Sequence, residues 1–207
     1  MVLFTDDFTG TDPSLGASWD HYSGVNGLQR VADTAEADVV SAAVDGIQSH
    51  SGTLPSDQWA EATLATILGG SDYNSLGVGV RWAAPNAVSG YLLLLDSIPS
   101  GSFRLSIQKY TAAVLSQVTS SPSNFVTVTL AGNDVFRLEA IGTLLRGFQN
   151  GVLVLSGTEA SYAGGRAAVE AYAATTLSNA AWNSFRSGDF VLPPPTSWAQ
   201  LAPLLAQ

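Results

Sequence analysis

Between positions 75 and 82 the chain alternates, with Val78, Val80 and Trp82 on one side of an extended backbone and Gly77, Gly79 and Arg81 on the other. A period of two is that of a β-strand, whose successive side chains point to opposite faces. The segment therefore predicts a strand with one buried face, on which Trp82 joins the two valines. Phe103, Leu105 and Ile107 likewise oppose Arg104, Ser106 and Gln108, while Phe136, Leu138 and Ala140 oppose Val135, Arg137, Glu139 and Ile141. Both strands have a more polar second side. With 59–67, 91–96, 114–118, 125–130, 144–149, 152–155 and 167–172, the pattern predicts ten strands. Turn residues fall about every ten positions, the spacing of a two-sheet sandwich.

Two stretches compete as helices, 30–44, rich in Ala, Asp and Val, and 160–176, rich in Ala. The second contains Gly164-Gly165, which is costly inside a helix, so it is read as a turn entering a strand. After Phe190 the chain runs Val-Leu-Pro-Pro-Pro-Thr-Ser-Trp, and consecutive prolines cannot donate to a β ladder. The expected organisation is one domain over 1–191 and a short Pro-rich apolar tail over 192–207. Trp198, Leu201, Leu204 and Leu205 would give the tail an apolar stripe, folded back on its own domain or docked on a protein partner or a second subunit.

Composition narrows the function classes. The 207 residues hold one lysine and seven arginines against 17 acids, a net charge of -9, and no basic stripe, which excludes a nucleic-acid partner. The longest strictly aliphatic run, Leu92 to Leu95, is far short of the roughly 20 residues a membrane-spanning helix needs, so no membrane partner is expected. Without cysteine there is no disulfide, thiolate metal site or thiol nucleophile. The opening Met1-Val-Leu-Phe-Thr-Asp-Asp has neither a basic n-region nor an apolar h-region, so no secretory signal is expected; a virion or an extracellular setting is favoured.

Several segments carry a resemblance. Phe4-Thr-Asp-Asp-Phe with Trp19, Leu76-Gly-Val-Gly-Val-Arg-Trp, Gly90-Tyr-Leu-Leu-Leu-Leu-Asp, Asp134-Val-Phe-Arg-Leu-Glu-Ala-Ile-Gly and Phe148-Gln-Asn-Gly look like the concanavalin A-like lectin/glucanase superfamily, especially its laminin-G-like jelly rolls. Tyr162-Ala-Gly-Gly-Arg-Ala-Ala-Val-Glu-Ala-Tyr and Trp182-Asn-Ser-Phe-Arg-Ser-Gly-Asp-Phe resemble its closing strands, so the likeness spans residues 4 to 191. Ala168 departs from it, standing where a second glycine after Gly165 is expected. The resemblance implies an all-β, two-sheet antiparallel jelly-roll sandwich. It also implies a structural calcium where the first and last strands meet, for which Asp6, Asp7, Asp12 and Asp189 are the candidates; the same aspartates fit better as turn caps. No other cofactor is expected.

A glycosidase of this superfamily would need two carboxyl groups about 5–9 Å apart. None of Glu36, Glu61, Glu139, Glu159 and Glu170 forms the Glu-x-Asp-x-x-Glu motif of its laminarinase-like members, and pairing with Arg81 or Arg137 accounts for Glu139 and Glu170 as well as catalysis does. His21 and His50 sit in loop-like segments without the acid and nucleophile spacing of a Ser-His-Asp arrangement. No enzyme is expected; a hydrolase or lyase ranks last. Sugars present apolar C–H faces and dense hydroxyls, so they call for aromatic platforms beside polar forks. The expectation is a non-catalytic glycan-binding module with Arg81, Tyr110, Glu139 and Tyr172 around a polar sheet face. The alternative is a structural protein of a phage particle that uses the fold for subunit contacts.

Overall fold

A computed structural model describes residues 3–22, 26–38, 46–67, 73–83, 88–98, 101–176 and 179–190; the tail expected over 192–207 lies outside them. Two antiparallel sheets face each other. The first runs β11 (Ser120–Ser121), β15 (Val152–Thr158), β14 (Leu144–Gln149), β13 (Val135–Ile141), β6 (Gln58–Ile67), β17 (Ala180–Asp189), β4 (Thr34–Ala37) and β3 (Leu28–Val31), with β1 (Leu3–Asp6) beside the second half of β17. The second runs β10 (Val114–Gln117), β9 (Ser102–Thr111), β8 (Gly90–Ile98), β7 (Asn74–Trp82), β16 (Arg166–Ala173), β5 (Gly46–His50) and β2 (Trp19–His21), with β12 (Phe125–Val128) continuing the β9 edge. This is the expected sandwich, and all ten predicted strands are present.

Between the sheets lies one core, built from the alternating positions: Leu76, Val78 and Val80 on β7, Leu93 and Leu95 on β8, Leu105 and Ile107 on β9, Phe136 and Leu138 on β13, Val169 on β16. A second buried cluster covers the outer face of the second sheet, where Tyr22, Ile47, Trp82, Leu92, Leu94 and Tyr110 pack together. The unbroken run Leu92–Leu95 is thereby explained, since a strand covered on both faces has no polar side.

Trp82 does not join Val78 and Val80, contrary to the alternation. Opposite the single Ala167 of β16, β7 places two residues, Val80 and Arg81, and Arg81 takes φ +57°. The extra residue is a β-bulge, and it exchanges the faces of the side chains that follow. Trp82 turns outward over the two glycines beside it. A Cβ on Gly90 would stand 2.8 Å from Trp82 Cγ, and one on Gly79 would fall on the indole nitrogen, so only glycine leaves room for the ring. Trp82 Nε1 donates to Tyr91 O at 3.1 Å.

The same bulge turns Arg81 away from the polar face. Its side chain is 2% exposed, and Nε, Nη1 and Nη2 donate to the carbonyls of Ser56, Tyr162 and Gly142 at 2.9, 3.1 and 2.7 Å. Asp57 Oδ1 accepts from Gly142 N at 2.8 Å and stands 3.9 Å from Arg81 Nη2, while Gln58 Oε1 accepts from Arg81 N at 2.9 Å. One guanidinium on the second sheet thus ties together the entry to β6, the β13–β14 turn and the loop before β16.

The segment 30–44 opens with most of a hairpin, β3 to β4, and not with a helix; of the rest, 39–44 lies outside the described residues. Ala32 and Asp33 at its turn have φ of 48° and 65°, and Ala112 and Ala113 between β9 and β10 have 50° and 66°. Primed turns demand such angles, and they are ordinarily filled by Gly or Asn.

On the rim near Arg81, Lys109 Nζ reaches Glu159 Oε2 at 3.0 Å, and Ala160 N, Ser161 N and Ser161 Oγ donate to Glu159 Oε1 at 2.9, 3.0 and 2.7 Å. The bonds from Ser161 and Lys109 hold this carboxyl at about 2, against an ordinary 4.5. A carboxyl whose folded pKa lies below its unfolded one stabilises the fold above the unfolded value and loses that contribution as pH falls toward the folded one.

Two outcomes follow. Arg81→Ala removes a buried guanidinium and its bonds to three loop carbonyls and is expected to cost about 3 kcal/mol, with Arg81→Lys recovering only part because an ammonium cannot span the fork. Urea midpoints check both variants, and an unchanged midpoint in Arg81→Ala would refute the clamp. The wild-type midpoint is also expected to fall between about pH 5 and pH 2, and less steeply in Glu159→Gln; superimposable profiles would remove Glu159 from the account.

Candidate functional site

The four residues expected to form one polar face do not come together. Arg81 is the buried clamp described above. Tyr110 is 3% exposed, its ring 5.5 Å from that of Trp82 in the outer cluster. Tyr172 is half-buried on the same outer face, in the row Tyr172, Ser75, Asp96 and Arg104 that crosses β16, β7, β8 and β9. Tyr110 lies six residues along β9 from that row, about 20 Å at strand rise. Glu139 belongs to the other sheet.

On the first sheet's outer face Glu139 is the middle of a ladder. Arg137 Nη2 is 2.8 Å from Glu139 Oε1 and Arg146 Nη2 2.6 Å from Oε2; Arg137 continues to Glu61 at 4.0 Å, and Glu61 pairs with Arg186. Arg137 also lies over the Trp59 ring at 4.3 Å and Arg146 over Phe148 at 5.7 Å. Both oxygens of Glu139 are taken by arginine, so the residue is engaged as an ion-pair partner.

The outer face of the second sheet opens at its β9 edge. The pairing of β10 and β12 with β9 sets Gln117 beside Gln108 and Phe125 beside Ser106, and with Arg104 they line a hollow of about 130 Å³. Phe125 is 51% exposed, an unusual state for a phenyl ring, and the Arg104 guanidinium sits 5.7 Å from its centroid. Arg104 Nε bonds Asp96 Oδ2 at 3.2 Å, while both terminal nitrogens have no partner among the described residues. Gln108 Nε2 donates to Ser106 Oγ at 2.9 Å, and its Oε1 likewise has no partner among the described residues. Gln117 donates to the carbonyl of Asn124, which holds the β10 end against the start of β12. The hollow is smaller than the roughly 300 Å³ of an ordinary ligand pocket, so it accommodates one face of a ligand rather than the whole of it. It joins a flat apolar ring, a guanidinium fork with its two ends turned to solvent, and amide donors and acceptors.

Arg104 and Gln108 were legible as the polar side of their strand. Phe125 was not singled out, although in Phe125-Val126-Thr127-Val128 the period of two already sets it with Thr127, away from the valines that pack on the core.

The carboxylates considered for a cation are otherwise engaged. Asp6 Oδ2 accepts from Arg30 Nη2 at 2.7 Å and Trp19 Nε1 at 2.8 Å, Asp7 Oδ1 from Thr9 N at 3.2 Å, and Asp12 Oδ1 from Ser14 N at 2.9 Å. Asp189 ends β17, opposite Gln58. Among the described residues no three His, Asp or Glu side chains converge. Burial raises the Glu36 carboxyl, whose hydrogen-bond partner is Gln29 and not a second carboxyl.

No protein-family model matches the sequence, and no curated protein does so significantly. Solved structures do match in shape. The chain is similar to the carbohydrate-binding module CBM66 from Bacillus subtilis (TM-score 0.58, 11% identity, covering 84% of this chain and 93% of that one). It is similar to a Bacillus licheniformis beta-glucanase (TM-score 0.60, 10% identity, 91% and 98% covered) and to the CBM2 module of the evolved Dit of Lactobacillus casei BL23 phage J-1 (TM-score 0.59, 12% identity, 92% and 96% covered). The fold is a concanavalin A-like jelly roll, one that carries both enzymes and binding modules.

Proposed function

We propose that the protein is a non-catalytic carbohydrate-binding module whose ligand lies on the outer face of the second sheet, against Phe125 and Arg104. The observation that carries this reading is the exposed Phe125 ring beside an arginine whose two terminal nitrogens are unengaged among the described residues. The ring offers a platform for the C–H face of a sugar, and the guanidinium offers parallel donors to vicinal hydroxyls. Gln108 and Gln117 border the same hollow with groups that both donate and accept. The fold is shared with a module that carries carbohydrate binding in its name, which supports the reading.

The absence of catalysis is part of the proposal. Glycoside cleavage needs one carboxylic acid and one carboxylate aimed at the same bond. Glu61 and Glu139 are each paired with two arginines, and Glu36 stands with an amide.

A glycan array followed by calorimetric titration of the best ligand tests the proposal. Phe125→Ala and Arg104→Ala are each expected to weaken binding about tenfold, and Arg104→Lys to restore little, because the fork is lost. The same polysaccharides should release no reducing ends on incubation with the protein. A blank array, or a ligand held equally well by both alanine variants, would overturn the assignment.

A further inference from the structure

Six of the eight large apolar side chains that are exposed among the described residues lie along one side of the sandwich: Val114 and Leu115 on β10, Phe125 on β12, Leu144 on β14, Val152 and Leu153 on β15. Here β15 packs across the sandwich from β9 and β12, so the open edges of both sheets meet. From Thr111 to Asn133 the sequence carries no charged side chain, nor does β15, in a chain of net charge -9. Over most of the surface a second copy would meet like charge; along this edge it would not.

β10 is the terminal strand of the second sheet, and its four residues are all exposed. Val118 N donates to Ile107 O at 3.0 Å. By the alternation of an antiparallel ladder, Val114 and Ser116 turn their backbone groups to β9, while Leu115 and Gln117 turn theirs outward. Sheet edges are ordinarily blunted by a charge or a proline, and β10, Val-Leu-Ser-Gln, has neither.

We propose that β10 pairs antiparallel with β10 of a second copy about a two-fold axis near Leu115, joining the two second sheets into one. The outward groups of an antiparallel strand complement themselves, which an isologous contact requires. The exposed Leu115 then packs against its own counterpart, and Val114 stands opposite Ser116 of the second copy. In this dimer the hollows beside Phe125 lie on one continuous face, close to the joint, and two weak sites would act together on a repeating polymer. The pairing stands without the carbohydrate reading, because its readout is mass.

Light scattering of the full chain over a concentration series is the test. The expected mass is twice 21.5 kDa at high concentration. Leu115→Lys sets two like charges at the joint, and Leu115→Pro removes an outward N–H without touching the β9 ladder; both are expected to give 21.5 kDa throughout, with the wild-type far-ultraviolet spectrum. A wild-type mass of 21.5 kDa at every concentration, or an oligomer that survives both substitutions, would overturn the proposal.

Discussion

At Val80 and Arg81 β7 sets two residues against one of β16, and every side chain after Val80 takes the opposite face from the one simple alternation assigns it. Two buried structures depend on this. The guanidinium of Arg81 swings to the end of the sandwich, where its three nitrogens donate to three carbonyls from three loops. The indole of Trp82 swings to the outer face, where Gly79 and Gly90 leave it space and Tyr22 and Tyr110 pack around it. A charged group this deep is tolerable because each of its three nitrogens donates to a carbonyl and Asp57 stands nearby; held in this way, the arginine is a structural tie.

The outer faces of the two sheets use their arginines differently. On the first, three arginines and two glutamates pair in a row with Trp59 and Phe148 alongside, leaving each carboxylate oxygen of Glu139 engaged. On the second, the indole cluster fills the middle of the face, and polar chemistry is left for the margin at β9, β10 and β12. There Arg104 meets a single carboxylate through Nε and keeps its two outer nitrogens turned to solvent. The contrast between an engaged and a presented guanidinium, more than the residue type, distinguishes the candidate site.

Strands with regular alternation were readable from the sequence, and β13 and β14 even to their ends, because a half-covered strand must repeat with period two. The elements that alternation alone did not bring out break that rule for visible reasons. β17 has register shifts at Trp182 and beyond, which scramble its period. The β3–β4 hairpin turns through Ala32-Asp33, where the positive φ of a primed turn falls on residues other than Gly or Asn. Arg81 was misplaced onto the binding face, and Trp82 onto the inner core, by one and the same bulge, a feature that pattern counting does not see. Glu139 was misassigned for a different cause: strand alternation shows that a residue faces outward, not which of two sheets it faces outward from.

The central claim, that the β9–β12 margin of the second sheet is the binding surface while Arg81 only holds the loops, is tested most directly by chemical-shift mapping. The isotope-labelled protein is titrated with the best oligosaccharide from the array, and backbone amide and arginine side-chain resonances are followed. Perturbations are expected at Arg104, Ser106, Gln108, Gln117 and Phe125, with the Arg81 resonances unmoved. Shifts centred on Arg137, Glu139 and Arg146, or on Arg81 itself, would contradict the account.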